Sequence, residues 1–114
     1  MMIDSYSFGH IVINGKAYTS DVIIYKDRVN ASWWRKEGHL LQWSDLTDIL
    51  KAKPDTLIIG KGYSGVMSVP KELVDRIEAM EIEVKVEKTI KAVELYNGLQ
   101  GKKSRVIAAL HITC

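Results

Sequence analysis

Residues 56–65 read TLIIGKGYSG, and the reading of this stretch decides the fold. The opening TLIIG is short, unbroken and rich in β-branched residues, the composition of a strand covered on both faces. The glycines that follow, Gly60, Gly62 and Gly65, have the spacing of a dinucleotide-binding loop. Such a loop must lead straight into a helix whose N-terminus receives the pyrophosphate. Here VMSV separates Gly65 from Pro70, and the unit lies mid-chain, so the spacing is a coincidence. Two readings survive. Glycine can simply permit a strand-to-helix bend. Alternatively, three glycines turn main-chain N–H groups toward one point and form a nest for a small anion at the carboxyl end of a strand. In that arrangement Lys61 supplies charge, Ser64 a hydroxyl and Tyr63 an aromatic lid.

Downstream of this strand the apolar period becomes helical. Ser68 and Pro70 open a helix carrying Leu73, Val74, Ile77 and Met80. IEVKV (82–86) alternates as a strand. Ala92, Leu95, Tyr96 and Leu99 then fall at i, i+3, i+4 and i+7 of another helix, with Gly98 and Gly101 as stops. RVIAALHI (105–112) reads as a final buried strand. Upstream, Ser44 caps a short helix bearing Leu46, Ile49 and Leu50, and Pro54 ends it.

The first third is β. Two extended runs in YSFGHIVINGKAYTSDVIIY are joined by Asn14-Gly15, the pair suited to a type I′ turn. VNASWW makes a further strand on which Trp33 and Trp34 face opposite ways. Strands first, then alternating strand and helix, predict an α/β fold. Its crossovers make parallel neighbours in one central sheet with helices packed on it, and an N-terminal β-hairpin or meander extends or covers that sheet. The 114 residues fit one domain, 1–114.

Sixteen basic against fourteen acidic side chains leave a net charge of +2, too balanced to demand nucleic acid. No apolar run approaches the ~18–20 residues that span a bilayer, and MMIDSYSFGH lacks a signal-peptide core. The single cysteine, Cys114, fits a reducing cytoplasm. The three histidines lack the spacing of a sequence-local metal site, and no cofactor is implied. No catalytic constellation stands out. GYSG only loosely resembles a nucleophile elbow. Glu83 and Glu87 are the carboxylates nearest the loop, where Lys85 and Lys88 can neutralise them; Glu87 with Thr89 reads as a helix cap.

The ordered segments LIIGKG, EVKVEKTIKAVELYNGL and RVIAALHITC, with FGHIVINGKAY and WWRKEGH before them, resemble a widespread family of small α/β proteins. It includes the mitochondrial NADH dehydrogenase (complex I) assembly factor 3 and an adipogenesis-associated cytosolic protein. Tyr96-Asn97 and Thr113-Cys114 are the more specific parts of the match. The resemblance implies a three-layer α/β fold built on a mixed central sheet and no particular reaction. Members of that family carry a small hydroxyl residue between the first two glycines, where this chain has Lys61. Mitochondrial assembly does not carry over directly, since no transit extension is read at the N-terminus.

The functional expectation is a non-catalytic binding or assembly module. Its cleft takes a small anion or a protein partner, a second copy included, and is formed by Gly60, Lys61, Gly62, Tyr63, Ser64 and Gly65, with Trp34 and Lys36 as neighbours. The alternative is an enzyme acting on a small molecule or nucleotide in the same cleft, with Glu83 or Glu87 as its perturbed carboxylate.

Overall fold

The stretch Thr56–Lys61 forms β6, whose first five residues are all buried. In the computed structural model, which describes residues 1–102 and 104–114, β6 lies between two parallel neighbours. These are β7 (Glu83–Glu87) and β8 (Val106–His111). β8 also pairs antiparallel with β4 (Val22–Ile24), and β4 with β5 (Val29–Asn30). The order β5-β4-β8-β6-β7 makes a mixed sheet of five strands.

Successive strand residues point to opposite faces, and the core divides accordingly. Ile23, Leu57, Ile59, Ile107 and Ala109 pack with α1 (Thr47–Lys51) and α2 (Lys71–Glu78) through Ile49, Leu50, Leu73 and Ile77. On the other face Val22, Ile24, Ile58, Ala108 and Leu110 meet Ala92 and Tyr96 of α3 (Thr89–Gly98). That face is completed by an antiparallel meander of β1 (Ile3–Ser7), β2 (His10–Ile13) and β3 (Lys16–Tyr18), which contributes Ile3, Ile11 and Ile13. Three layers result, as the resemblance implies. The first three strands cover the central sheet, and β4 extends it.

The Asn14-Gly15 turn has φ of 48° and 78° and leaves Ile13 opposite Lys16, the geometry of a type I′ hairpin. Both expected long runs are broken. Gly9 (φ 72°) folds the first back on itself, and residues 19–21 carry the second from one sheet into the other. β5 stops at Asn30, whose side chain caps the amide of Ser32 at 2.9 Å, so neither Trp33 nor Trp34 lies on a strand. Their opposite facing holds nonetheless: Trp33 is buried and Trp34 is 76% exposed. Ser44 does not cap α1. A 3₁₀ turn, Trp43–Leu46, precedes the helix, and Asp45 Oδ2 accepts from the Gln42 amide at 2.8 Å. Met80 lies beyond the end of α2 and is exposed.

Ile59→Ala should cost about 2–5 kcal/mol, since it empties a fully buried site in the central strand. The exposed Ile90→Ala should stay within about 0.5 kcal/mol. Urea unfolding of the two variants beside wild type measures the contrast.

Candidate functional site

Beyond β6 the backbone bends sharply at Gly62, whose φ is 106°. A Cβ there would lie 2.2 Å from the carbonyl carbon of Cys114 and 2.9 Å from His111 Cδ2. At Gly60 a Cβ would meet Thr89 Oγ1 at 2.8 Å and Leu110 Cδ2 at 2.9 Å, which explains how closely α3 approaches the strand. The amides that an anion nest would offer have partners within the protein. Tyr63 N–H donates to Thr113 O at 2.6 Å, Ser64 and Val66 donate to Cys114 O at 3.2 and 3.1 Å, and Gly65 donates to Gly62 O at 3.2 Å. Gly62 N–H donates to Thr89 Oγ1 at 2.9 Å, and that hydroxyl donates to His111 O at 2.6 Å. Two corrections follow. The nest is filled by residues 113–114, and Thr89 bridges the ends of β6 and β8 instead of capping α3, where Lys88 stands at the N-cap.

Apart from Ser64, what the loop presents outward is large and apolar or aromatic. Tyr63 is exposed and meets the exposed Phe8 edge-on, with ring centroids 6.0 Å apart, and the Tyr6 ring centroid lies 6.4 Å from that of Tyr63. Val66 is exposed on the same loop. Tyr6 Oη donates to Ile112 O at 3.0 Å, and burial pushes its pKa up to about 12.

Beside the loop lies a buried polar cluster that sequence reasoning missed. Asp21 Oδ2 accepts from Arg35 Nη2 and from His111 Nδ1, each at 2.9 Å, while Asp21 Oδ1 accepts from the Ile112 amide at 2.8 Å. Arg35 Nη2 and His111 Nδ1 stand 3.1 Å apart because both donate to one oxygen. Arg35 Nη2 also donates to Gly38 O at 3.1 Å, and its guanidinium lies over the Trp33 ring at 4.6 Å. Burial works to raise the Asp21 pKa; hydrogen bonds from His111, the Ile112 amide and Arg35 outweigh it and hold the carboxyl below its ordinary range. Arg35 Nε and Nη1 and His111 Nε2 are buried without a protein partner. Position 21 is 90 residues from His111 and 14 from Arg35, so only the fold unites them.

Trp34 and Lys36 come together on a groove of about 430 Å³ whose floor includes Ile23, Trp33 and Ile49, with Asp45 and Asp48 on its wall. Residues 60–65 contribute nothing to that lining. Glu83 pairs with Lys85 at 3.2 Å on the outer strand β7, one of the arrangements the sequence allows. No group of His, Cys, Asp and Glu among the described residues could hold a metal ion.

Fold and site together define a three-layer α/β domain closed at the carboxyl ends of its central strands by its own chain. Residues 3–111 match the model of a family described as protein of unknown function (DUF498/DUF598), and the chain belongs to that family. A conserved hypothetical protein from Pyrococcus horikoshii is 30% identical, covers all of both chains and superposes with a TM-score of 0.84. A Bordetella parapertussis protein is 25% identical over 97% of this chain and 94% of its own, with a TM-score of 0.80. A Bartonella henselae protein described as an outer membrane protein shares the fold at 20% identity and a TM-score of 0.81, covering 98% and 94% of the two chains. No helix among the described residues is long and apolar enough to cross a membrane.

Gly62→Ala should destabilise by more than about 2 kcal/mol, because both a positive φ and backbone contact oppose the methyl group; thermal unfolding reads this directly. Asp21→Ala, which strands the buried Arg35, should cost about 3–5 kcal/mol. The Asp21 carboxylate has a folded pKa below its unfolded value of about 3.9. Its contribution is therefore complete above that unfolded value and disappears as pH falls through the lower folded one. Urea midpoints between pH 6 and pH 2 should drop less steeply in Asp21→Asn than in wild type.

Proposed function

We propose that the protein is a non-catalytic binding or assembly module whose protein partner docks on the outer face of the glycine-rich loop. The observation that carries this reading is the exposure of Phe8, Tyr63 and Val66, at 55%, 46% and 47%, on turns pinned by residues 112–114. Large apolar side chains displayed on a fixed backbone lose little freedom on binding, and aromatic residues dominate interface energetics. Trp34 and Lys36, on their groove, supply a second contact region. A role in assembly agrees with the resemblance to a complex I assembly factor. The lone exposed cysteine, Cys114, suits a cytoplasmic setting.

A second reading, an enzyme on a small substrate, draws on Asp21 and His111. A carboxylate on Nδ1 fixes the tautomer and leaves Nε2 as an unprotonated acceptor, the arrangement of a general base. Nε2 is buried, so it must first be uncovered for it to act.

The test is affinity capture from native extract with wild type and with a Phe8→Ser/Tyr63→Ser/Val66→Ser variant, alongside sedimentation of each. A partner held by wild type should be lost by at least about tenfold in the variant, the effect of removing interface hot spots. A stable dimer abolished by the same substitutions would identify the partner as a second copy. Equal capture and equal sedimentation by both proteins would overturn the proposal. All three positions are exposed, so the variant's melting temperature should stay near that of wild type.

A further inference from the structure

The opposite end of the central sheet has a different character. Where β6 and β8 begin, Asp55 and Thr56 amides donate to Arg105 O at 2.9 and 3.1 Å, and Asp55 Oδ2 accepts from the Arg105 amide at 2.7 Å. This backbone clamp fixes Arg105 at the mouth of a hollow of about 460 Å³. Lys26, Lys102 and Ser104 also line it, with Leu99 and Val106 as its apolar wall. Every charged side chain in that lining is a cation. Among the described residues, none of Lys26, Lys102 and Arg105 has a carboxylate within ion-pair distance.

Helix C-termini attract cations, and two helices end nearby. Arg105 Nη1 donates to Ala52 O, just past α1, at 3.4 Å, and Lys102 follows the end of α3. That accounts for two of the three. Lys26 belongs to neither helix; it comes from the turn between β4 and β5. Two chain segments distant in sequence, the β4–β5 turn and the connection from α3 to β8, therefore bring three positive charges to one concave place on a protein whose net charge is only +2. Convergent unpaired cations repel one another, and a polyvalent anion relieves that repulsion.

A second hollow, of about 370 Å³, shares Lys26, Arg105 and Val106 with the first. Its other walls include Tyr25, Ala52 and Ile107, and its one acid, Asp27, is paired with Arg28 at 3.3 Å. We infer that these joined hollows bind a small phosphorylated molecule. The phosphate lies among Lys26, Lys102 and Arg105, and the uncharged body of the ligand follows the neighbouring apolar wall. Arginine offers a planar fork to phosphate oxygens, and the two lysines act as point charges.

The test is a titration of the whole chain with pyrophosphate at low ionic strength, followed by amide chemical shifts and calorimetry. Saturable binding should perturb residues 26 and 104–106 and weaken as salt is added. Lys26→Ala, Lys102→Ala and Arg105→Ala should each lower affinity roughly two- to fivefold, the worth of a single exposed ion pair, and the triple variant should lose binding. Lys36→Ala and Lys61→Ala, at the other two surfaces, should bind as wild type does. All three cations are exposed, so the variants should keep the fold. No saturable binding at millimolar pyrophosphate, or equal binding by the triple variant, would overturn the inference. So would tight binding of a single-stranded oligonucleotide without binding of pyrophosphate, which would mark a nucleic-acid surface instead.

Discussion

Residues 112–114 hold the two sheets to each other, and the rest of the architecture at that end depends on their hydrogen bonds. Strand ends leave main-chain groups that must find partners once they are covered. Here Ile112 O accepts from Gly9 N–H at 2.7 Å and from the Tyr6 hydroxyl, both in the meander, while Ile112 N–H donates to Asp21. Thr113 and Cys114 carbonyls take up the amides of the bend after β6. One short segment thus ties the outer β layer, the strand crossing between sheets and the glycine bend. Gly62 is where this costs sequence freedom, because the carbonyl of Cys114 occupies the space of any side chain.

The layers were legible wherever local chemistry decides the outcome. TLIIG could only be a strand covered on both faces, and Asn14-Gly15 could only be a tight turn, because positive φ at two successive positions excludes most residues. The glycine-rich bend was legible as a bend. What its amides face was not, since the same φ angles serve an anion, a water or another stretch of chain. Spacing reports backbone conformation; it does not report what fills the concavity. Asp21, Arg35 and His111 were invisible for a related reason. Each is unremarkable in its local context, and their union depends on β4 pairing antiparallel with β8 so that residue 21 meets residues 111–112. The ends of β5 and α1 were misplaced because short side chains, Asn30 and Asp45, compete with regular structure through bonds to nearby amides.

The buried cluster is a poor source of stability and a good source of specificity. Removing a guanidinium and a carboxylate from water costs several kcal/mol per ion, which their attraction does little more than repay. An apolar trio of similar volume would pack as well, but would accept several alignments of the last segment. Asp21 accepts only one, because its two oxygens must meet the Ile112 amide on one side and Arg35 with His111 on the other. A mixed sheet needs such a device more than a purely antiparallel one does. β8 lies beside β6 in one sense and β4 in the other, and a one-residue slip would exchange the two apolar faces.

Open α/β sheets usually receive ligands beyond the carboxyl ends of their strands, where helix N-termini and loop amides favour anions. In this protein that end is occupied by the chain itself and shows aromatic rings to the outside. The amino ends of β6 and β8 lie instead near the C-termini of α1 and α3, whose dipoles oppose an anion. Those helix ends offer no attraction, so a negative ligand must be held chiefly by side-chain charge. Lys26, Lys102 and Arg105 provide it from two segments around one hollow. Binding at such a place depends on long-range charge more than on backbone geometry, and it follows ionic strength accordingly. Under the two proposals the ends of one sheet take different partners, an apolar protein surface at one and a phosphate at the other, and the layers between them keep the two apart.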